Sequence, residues 1–204
     1  MTLNTTTWIL IITVITSIYA WNNPGIYQKW ILTPYKIKHN KEYWRFITSG
    51  FVHLNYLHLF FNMFALFFFG QHVAYYFGTN GDLLMVLLYL LGIVVADIPT
   101  YMKYQNVPNY NALGASGGVA AVVFSSIMFD PLNPIYILFI PFGIPGFILG
   151  ALYLIYSYYQ GKRMSDSINH DAHLFGALFG LVFTVIIRPG VLVSFVEQIS
   201  NWQL

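Results

Sequence analysis

The chain has 204 residues, of which 57% are hydrophobic, 19% aromatic and only 8% charged. Soluble domains carry about 25% charged residues, so this composition excludes an ordinary soluble protein and indicates an integral membrane protein of one domain. The formal net charge of +2 is too small to favour nucleic-acid binding, and the absence of cysteine excludes disulfides and thiolate metal sites.

Six apolar stretches approach the length of about 20 residues that a helix needs to cross a hydrocarbon core about 30 Å thick. They are residues 5–20, 57–77, 83–101, 113–129, 144–159 and 172–187. A chain exposed to lipid must satisfy its own backbone hydrogen bonds, and LFFNMFALFFFG lacks the alternation of a membrane β-strand. The sequence therefore predicts an all-α polytopic membrane protein with six transmembrane helices. MTLNTTTWIL lacks the basic start and cleavage site of a signal peptide, so we expect the first stretch to be retained.

The connections between these stretches differ in character. The first, residues 21–56, carries most of the charge but also the apolar runs IYQKWILTPY and EYWRFITSGF, so we expect it to fold onto the membrane face of the bundle. The prolines of DPLNPIYILFIPFGIPG leave an apolar run too short to span, which we expect to lie in the membrane interface. QGKRMSDSINH, residues 160–170, predicts a polar loop before the sixth stretch.

Consecutive spans alternate in direction, so the second, fourth and sixth predicted helices begin on the same side of the membrane. Polar residues that are costly in lipid lie near these three starts: His58, Ser116 and His173. Topology alone therefore predicts that they lie at one face of the bundle and at similar depths.

Ser116 lies in NALGASGGVAA, where three glycines remove the side chains that would crowd it. Glycine lets a backbone approach a substrate closely, and free N–H groups at a helix start favour a developing anion. These features suit a nucleophile for acyl transfer. The same glycines also suit tight helix packing, and a lone serine in a span more often bonds a carbonyl one turn back.

His58 and Asn62 lie four residues apart, on one face of the second predicted helix. As a pair they are as consistent with hydrogen bonds that hold helices together as with a functional role. His173 shares a face of the sixth helix with Gly176 and Gly180, which would let this helix pack closely on the start of the fourth. Such packing is what a serine–histidine hydrogen bond of about 2.6–3.2 Å requires.

The other ionisable residues are interpreted as structural. Asp171 is only two residues from His173 and points elsewhere on a helix, so we interpret it as the N-cap of the sixth helix rather than as part of a triad. The carboxylates interpreted as caps or turn residues are Asp82, Asp97 and Asp130. The histidines interpreted as structural are 39, 53, 72 and 170, with 53 and 170 nearest the expected cavity. The absence of HExxH disfavours a metalloprotease.

Three motifs together resemble those of the rhomboid intramembrane serine proteases: GASG around Ser116, HxxxN at His58 and Asn62, and AHLFGALFG containing His173. WR in the first loop and HLNYLH before the second helix are also similar to that family. The resemblance covers about residues 43–188, in the right order and spacing, and we expect residues 1–204 to form a single domain. It implies a six-helix rhomboid-like bundle, a Ser–His dyad, and no metal or cofactor.

The resemblance implies an intramembrane serine endopeptidase that hydrolyses peptide bonds in or near the transmembrane helices of single-pass membrane proteins in the lipid bilayer. Ser116 would be the nucleophile, and His173 the general base and then the general acid. His58 and Asn62, with the Ser116 backbone N–H, would form the oxyanion hole.

Two positions depart from the family pattern. Some members have an acidic residue near the inner end of the second helix, where this chain has Ala74. Some have an aromatic residue four positions after the serine that stacks on the catalytic histidine, where this chain has Ala120. The first change affects structural support, and the second removes a contact that orients His173.

Hydrolysis needs water at membrane depth. The fourth predicted helix has only about 17 residues, so we expect it to start below the membrane surface. VPNYNALG would then be non-helical backbone beside a water-filled cavity. We expect substrates to enter beside the second and fifth helices, under the polar loop QGKRMSDSINH.

The resemblance implies a multi-pass protein of the inner membrane of a cell, with the active site open to the extracytoplasmic side. The basic residues argue the other way, since of the nine Lys and Arg only Arg188 falls on the side opposite the active site. Basic loops favour the cytoplasmic side. Because part of this charge lies in a loop that we expect to fold, we follow the family.

Three other functions fit parts of the sequence. A proteolytically inactive rhomboid-like protein would only bind transmembrane helices, but such proteins usually lack the serine or the histidine. A haem- or metal-binding membrane protein would use His58 and His173, and leaves Ser116 and Asn62 without a role. A channel or transporter is disfavoured because the spans lack the paired broken helices of inverted repeats.

Overall fold

The computed structural model describes residues 4–137, 141–163 and 168–203, and these residues are mostly helical. The helices are α1 (Thr5–Trp21), α2 (Pro24–Trp30), α3 (Pro34–Asn40), α4 (Arg45–Thr48), α5 (Tyr56–Phe77), α6 (Gly81–Tyr104), α7 (Ser116–Phe129), α8 (Gly146–Arg163), α9 (His170–Ile187) and α10 (Val191–Ser200). Two short strands, β1 (Pro134–Ile135) and β2 (Ile144–Pro145), pair antiparallel between α7 and α8. The prediction of a mostly helical protein is therefore confirmed.

Each of the six predicted apolar stretches overlaps one long helix, and asparagine side chains cap the starts of α1, α5 and α9. Asn4 accepts a hydrogen bond of 2.9 Å from the Thr7 N–H at the start of α1. Asn55 accepts one of 2.8 Å from the His58 N–H at the start of α5. Each bond satisfies an N–H group that the helix itself leaves unpaired.

The fourth long helix begins later than predicted, at Ser116 rather than at residue 113. Gly114 has a φ of +115°, which lies outside the helical region, so the helix cannot extend back through it. With 14 residues, α7 is about 21 Å long. Residues 107–115 before it are non-helical, as the sequence predicted for VPNYNALG.

Helix α7 lies in the middle of the bundle and packs on α5, α6 and α9. Almost all of its residues are buried, among them Gly117, Gly118, Ala120 and Ala121. These small side chains let the neighbouring helices come close, because little volume separates the backbones. Ser116 is thus the first residue of a helix that is almost entirely enclosed by its neighbours.

The first loop folds onto the bundle, as predicted. Arg45 is only 2% exposed and donates hydrogen bonds to the carbonyl oxygens of Gln28 at 2.9 Å and Ile31 at 2.7 Å. Its guanidinium also pairs with Glu42. Leu32 exchanges two backbone hydrogen bonds with Ala112, so this loop is tied to the segment that precedes α7.

One connection differs from its prediction. Residues 160–163 of the predicted polar loop form the last turn of α8, and residue 170 begins α9, so the loop is shorter than predicted; residues 164–167 lie outside the described residues. The proline-rich segment before α8 contains the two short strands, and its residues 138–140 also lie outside the described part. Its position in the membrane interface stays a prediction. Helix α10 was not predicted, since its polar and apolar residues alternate with helical period rather than form an apolar run.

Two helical stretches in the described residues are long and apolar enough to cross a membrane. One is Tyr56–Tyr104, in which α5 and α6 follow each other through a short 3₁₀ turn, and the other is α9. Helices α1, α7 and α10 are apolar but shorter.

Candidate active site

A cavity of about 1000 Å³ opens between α5, α7, α8 and α9. Its lining includes all four residues that the sequence singled out: Ser116, His173, His58 and Asn62. Most of the remaining wall is apolar, with Phe61 and Ala65 from α5 facing the same space as Leu149 and Tyr153 from α8. The structure thus brings the predicted residues to one concave site, which is where binding and catalysis occur in most proteins.

Close packing between α7 and α9 brings Ser116 and His173 to this cavity. A Cβ atom added to Gly176 would lie 2.2 Å from the carbonyl oxygen of Gly117, and one added to Gly180 would lie 2.2 Å from that of Ala121. The predicted packing of the small-residue face of α9 against α7 is therefore confirmed. Ser116 precedes the first of these contacts by one residue, and His173 precedes it by one helical turn.

The backbone before Ser116 passes directly over the imidazole of His58. A Cβ atom on Gly114 would lie 2.5 Å from Cε1 and 2.9 Å from Nε2 of that ring. Only glycine combines this approach with a φ of +115° at low cost. The ring is thereby packed against the segment that leads into α7.

His53 connects the segment before Ser116 to α1. Its Nε2 accepts a hydrogen bond of 3.3 Å from the Ala115 N–H, and its Nδ1 lies 3.0 Å from Ser17 Oγ on α1. Because Nε2 accepts, the proton of the neutral ring is on Nδ1 and is donated to Ser17. Burial, with a smaller effect from His58, lowers the pKa of His53 to about 3, which keeps the ring neutral. Its interpretation as a structural residue is supported.

Asn62 is buried and lies one helical turn after His58 on α5. Its side-chain Nδ2 donates a hydrogen bond of 2.9 Å to the His58 carbonyl oxygen, which fixes the direction of the amide. The amide nitrogen carries a second N–H, so it can donate to another acceptor as well.

Two rings flank His173. Tyr153 of α8 lies nearly parallel to the imidazole, with ring centroids 6.2 Å apart and an interplanar angle of 18°. His170 meets it edge-on at 5.9 Å and also lines the cavity, as predicted for that histidine. Sequence reasoning missed Tyr153, because no motif contains it and its partner lies 20 residues further along the chain.

Asp171 does not cap α9, so that interpretation is wrong. Asn169 is the cap, since its side chain accepts a hydrogen bond of 3.2 Å from the Ala172 N–H. Asp171 pairs instead with Lys103 of α6, with Oδ2 3.0 Å from Nζ. Both residues line the cavity, so this ion pair joins α6 to α9 at its wall.

Asp97 was interpreted as a cap or turn residue, but it lies within α6. Ser49 Oγ donates a hydrogen bond of 3.3 Å to its Oδ2, and the Ser49 carbonyl oxygen accepts one of 2.9 Å from the Gly114 N–H. Asp97 therefore belongs to the set of contacts that hold the segment before Ser116. Spacing along the sequence could not show this, because Ser49 lies in the first loop.

Comparison with known proteins places most of the chain in one protein family. A model of the rhomboid domain matches residues 40–190. The chain is similar to the mitochondrial RHOMBOID-like protein 12 of Arabidopsis thaliana, with 29% identity over 160 residues that cover 71% of this chain and 46% of that protein. It is also similar to the rhomboid protease GlpG of Haemophilus influenzae, with 30% identity over 149 residues that cover 72% of this chain and 71% of that protein. The chain thus matches less than half the length of the plant relative.

Proposed function

This chain belongs to the rhomboid family of membrane-embedded proteins, and from that premise we propose that it is an intramembrane serine endopeptidase. The family acts on membrane proteins within the lipid bilayer. The observation that supports the proposal most directly is that Ser116, His173, His58 and Asn62 all line one cavity. Nucleophile, base and oxyanion donors must converge on one substrate carbonyl, and a shared cavity is the first requirement for that.

In the proposed reaction, Ser116 Oγ attacks the carbonyl carbon of the scissile peptide bond, and His173 accepts the hydroxyl proton. The electron pair of the carbonyl moves onto its oxygen. When the tetrahedral intermediate collapses, the bond to the leaving nitrogen breaks, and His173 gives its proton to that nitrogen. Water then attacks the acyl-enzyme by the same steps and releases the carboxylic acid and the serine.

The developing oxyanion would be stabilised at the start of α7. The Ser116 backbone N–H belongs to the first turn of that helix, where N–H groups lack partners within the helix. The His58 ring lies against Gly114 and the Asn62 amide retains a second N–H, so both are candidates for further donors. Loss of one such donor typically lowers kcat by about a hundred- to a thousandfold.

We propose that α1 and α5–α9 form the six spans of a rhomboid-type bundle. At about 21 Å, α7 is too short for a hydrocarbon core of about 30 Å, so its first residue would lie below the membrane surface. Non-helical backbone is tolerated at such depth only beside protein or a wet cavity. Water in the cavity would supply the hydrolytic step.

The proposed substrates are single-pass membrane proteins whose transmembrane helix unwinds near one end. The cavity wall is formed by α5 on one side and α8 on the other, which supports lateral access between these two helices. Its apolar residues suit the side chains of a substrate leaving the lipid.

We further propose that the protein resides in the inner membrane with its site open to the extracytoplasmic side. The excess of basic residues on that side argues against this orientation. However, Arg45 is buried in the folded loop and paired with Glu42, so part of that charge is neutralised.

The test is cleavage of a transmembrane substrate by protein purified in detergent, with the wild type beside Ser116→Ala. We expect the variant to lose kcat by about 10⁴-fold or more, because the nucleophile is removed. Ser126→Ala is the matched control: this serine also lies on α7 and contacts a histidine, with Oγ 2.7 Å from His72 Nδ1, but it does not line the cavity.

The control variant is expected to cleave the substrate like the wild type. Cleavage that persists in Ser116→Ala would overturn the serine mechanism. A wild type that binds transmembrane helices without cleaving them would instead indicate the inactive rhomboid-like alternative.

A further inference from the structure

The position on α7 that lies one turn after Ser116 carries no aromatic side chain. Position 120, one turn after Ser116, is an alanine that is 6% exposed. The next aromatic residue on this helix is Phe124, whose ring tilts against Tyr153 at a centroid distance of 5.7 Å. A parallel ring nevertheless lies on His173, and it comes from α8.

The face of α8 that carries Tyr153 is built to approach α7. Gly146, Gly150, Tyr153 and Ser157 are spaced by three or four residues and so lie on one side of the helix. A Cβ atom on Gly150 would lie 3.2 Å from the Ile127 side chain and 3.4 Å from the Phe124 ring. This close contact brings the Tyr153 ring to the wall of the cavity, which Ala120 also lines.

We propose that Tyr153 is the positioning residue of His173, replacing from α8 the ring that position 120 lacks. This inference rests on the proposed function of His173 as the general base. A ring stacked on the imidazole at this centroid distance favours the orientation in which the two ring planes are nearly parallel, because that arrangement keeps their offset contact. In the proposed reaction, this contact would keep the nitrogen that accepts the serine proton directed at Ser116.

The location of Tyr153 on α8 has a functional consequence. Helix α8 also forms one wall of the cavity between α5 and α8. A displacement of α8 away from α9 therefore removes the ring from His173, and the general base is correctly oriented only when α8 is in its packed position. A ring supplied by α7 would not be coupled to α8 in this way.

The experiment compares four variants in the transmembrane-substrate assay. Tyr153→Leu removes the ring, Tyr153→Phe keeps it, and Tyr153→Leu with Ala120→Phe supplies a ring from α7 instead. Tyr159→Leu is the matched control, since it makes the same change on the same helix at a residue that is 60% exposed. Thermal unfolding of each purified variant is measured in parallel.

We expect Tyr153→Leu to lower kcat about three- to tenfold with little change in KM, which is the effect that one ring contact can supply. Tyr153→Phe and the double variant are expected to recover most of that loss. The rate at which a fluorophosphonate labels Ser116 should follow the same order, because labelling needs the same proton transfer but no transmembrane substrate.

The inference is overturned if Tyr153→Leu matches the wild type, if Tyr159→Leu is equally impaired, or if the Ala120→Phe ring restores nothing. These results differ from failure of the proposed function, in which the wild type itself would not cleave or would cleave without Ser116. If Tyr153→Leu does not fold, Tyr153→Met replaces it, because this flexible side chain fills a similar volume without a ring.

Discussion

Gly114 and His58 form the contact on which the candidate oxyanion site depends. The imidazole lies where the side chain of any other residue at position 114 would have to be. The backbone there also has a left-handed φ, which non-glycine residues rarely adopt. One residue thus determines both where α7 starts and where the His58 ring lies.

Replacing Gly114 with alanine is expected to lower kcat by about a hundredfold, the effect of losing one oxyanion donor, because the Cβ atom displaces the His58 ring. The cost in folding free energy should be smaller, about 1–2 kcal/mol for the left-handed backbone. Substrate cleavage and thermal unfolding in detergent measure the two effects.

The control for Gly114→Ala is Gly25→Ala, since an added Cβ at that position in α2 meets no atom within 4 Å. It should leave both quantities unchanged. Equal kcat in the Gly114→Ala variant and the wild type would remove His58 from the oxyanion site.

At the scale of whole elements, the crossing of α7 and α9 brings the site together. Two glycines on α9 face backbone carbonyl groups of α7, at Gly117 and Ala121. Thr184 reinforces the crossing further along α9, where its hydroxyl and that of Ser125 are hydrogen-bonded at 2.7 Å. Small residues are typical of such membrane-helix contacts, because they let backbones approach without side chains between them.

A single methyl group at this crossing should separate the two helices. Gly176→Ala would put its Cβ 2.2 Å from the Gly117 carbonyl oxygen. This oxygen belongs to the backbone of α7, so it cannot move away by a change of rotamer as a side-chain atom can. We expect a loss of about 1–3 kcal/mol in stability and a clear fall in the labelling of Ser116 by a fluorophosphonate.

Gly190→Ala provides the comparison, because its added Cβ meets nothing within 4 Å. It should unfold and label like the wild type. If Gly176→Ala behaved in the same way, the close crossing of α7 and α9 would not be what assembles the site.

At the scale of the whole molecule, the first loop and α1 support the end of the bundle that contains the candidate active site. Trp21 Nε1 donates a hydrogen bond of 2.7 Å to the His53 carbonyl oxygen, and Ser17 contacts the His53 ring. His53 in turn accepts the bond from Ala115, next to Ser116. A rigid support of this kind keeps catalytic groups in place, since small misplacements are costly in rate.

The proposed orientation can be tested by labelling single introduced cysteines. Because the chain itself contains no cysteine, no other residue of it would react with the maleimide. Asn109, in the segment before α7, and Glu197, on α10, are both exposed and would lie on opposite sides of the membrane. We expect a membrane-impermeant maleimide to label Asn109→Cys in intact bacterial cells and Glu197→Cys only after the membrane is broken. The reverse pattern would place the site in the cytoplasm, as the distribution of basic residues suggests.

Much of this protein is determined by its sequence alone. The apolar stretches predict the long helices, since hydrophobic length is a local property, and the motifs predict the four residues that line one cavity. Alternation of direction between spans also predicts a shared end for the second, fourth and sixth helices without knowledge of packing.

Other features were decided only by tertiary structure. Leu113 reads as the start of a helix, but Gly114 adopts a left-handed backbone over the His58 ring, so α7 starts at Ser116. From the sequence, Asp171 is expected to cap α9, but in the structure it pairs with Lys103 of α6. The contact of Tyr153 with His173 is not predicted by any sequence motif. Each outcome depends on contacts between residues far apart along the chain, and local pattern contains no information about which helix faces meet.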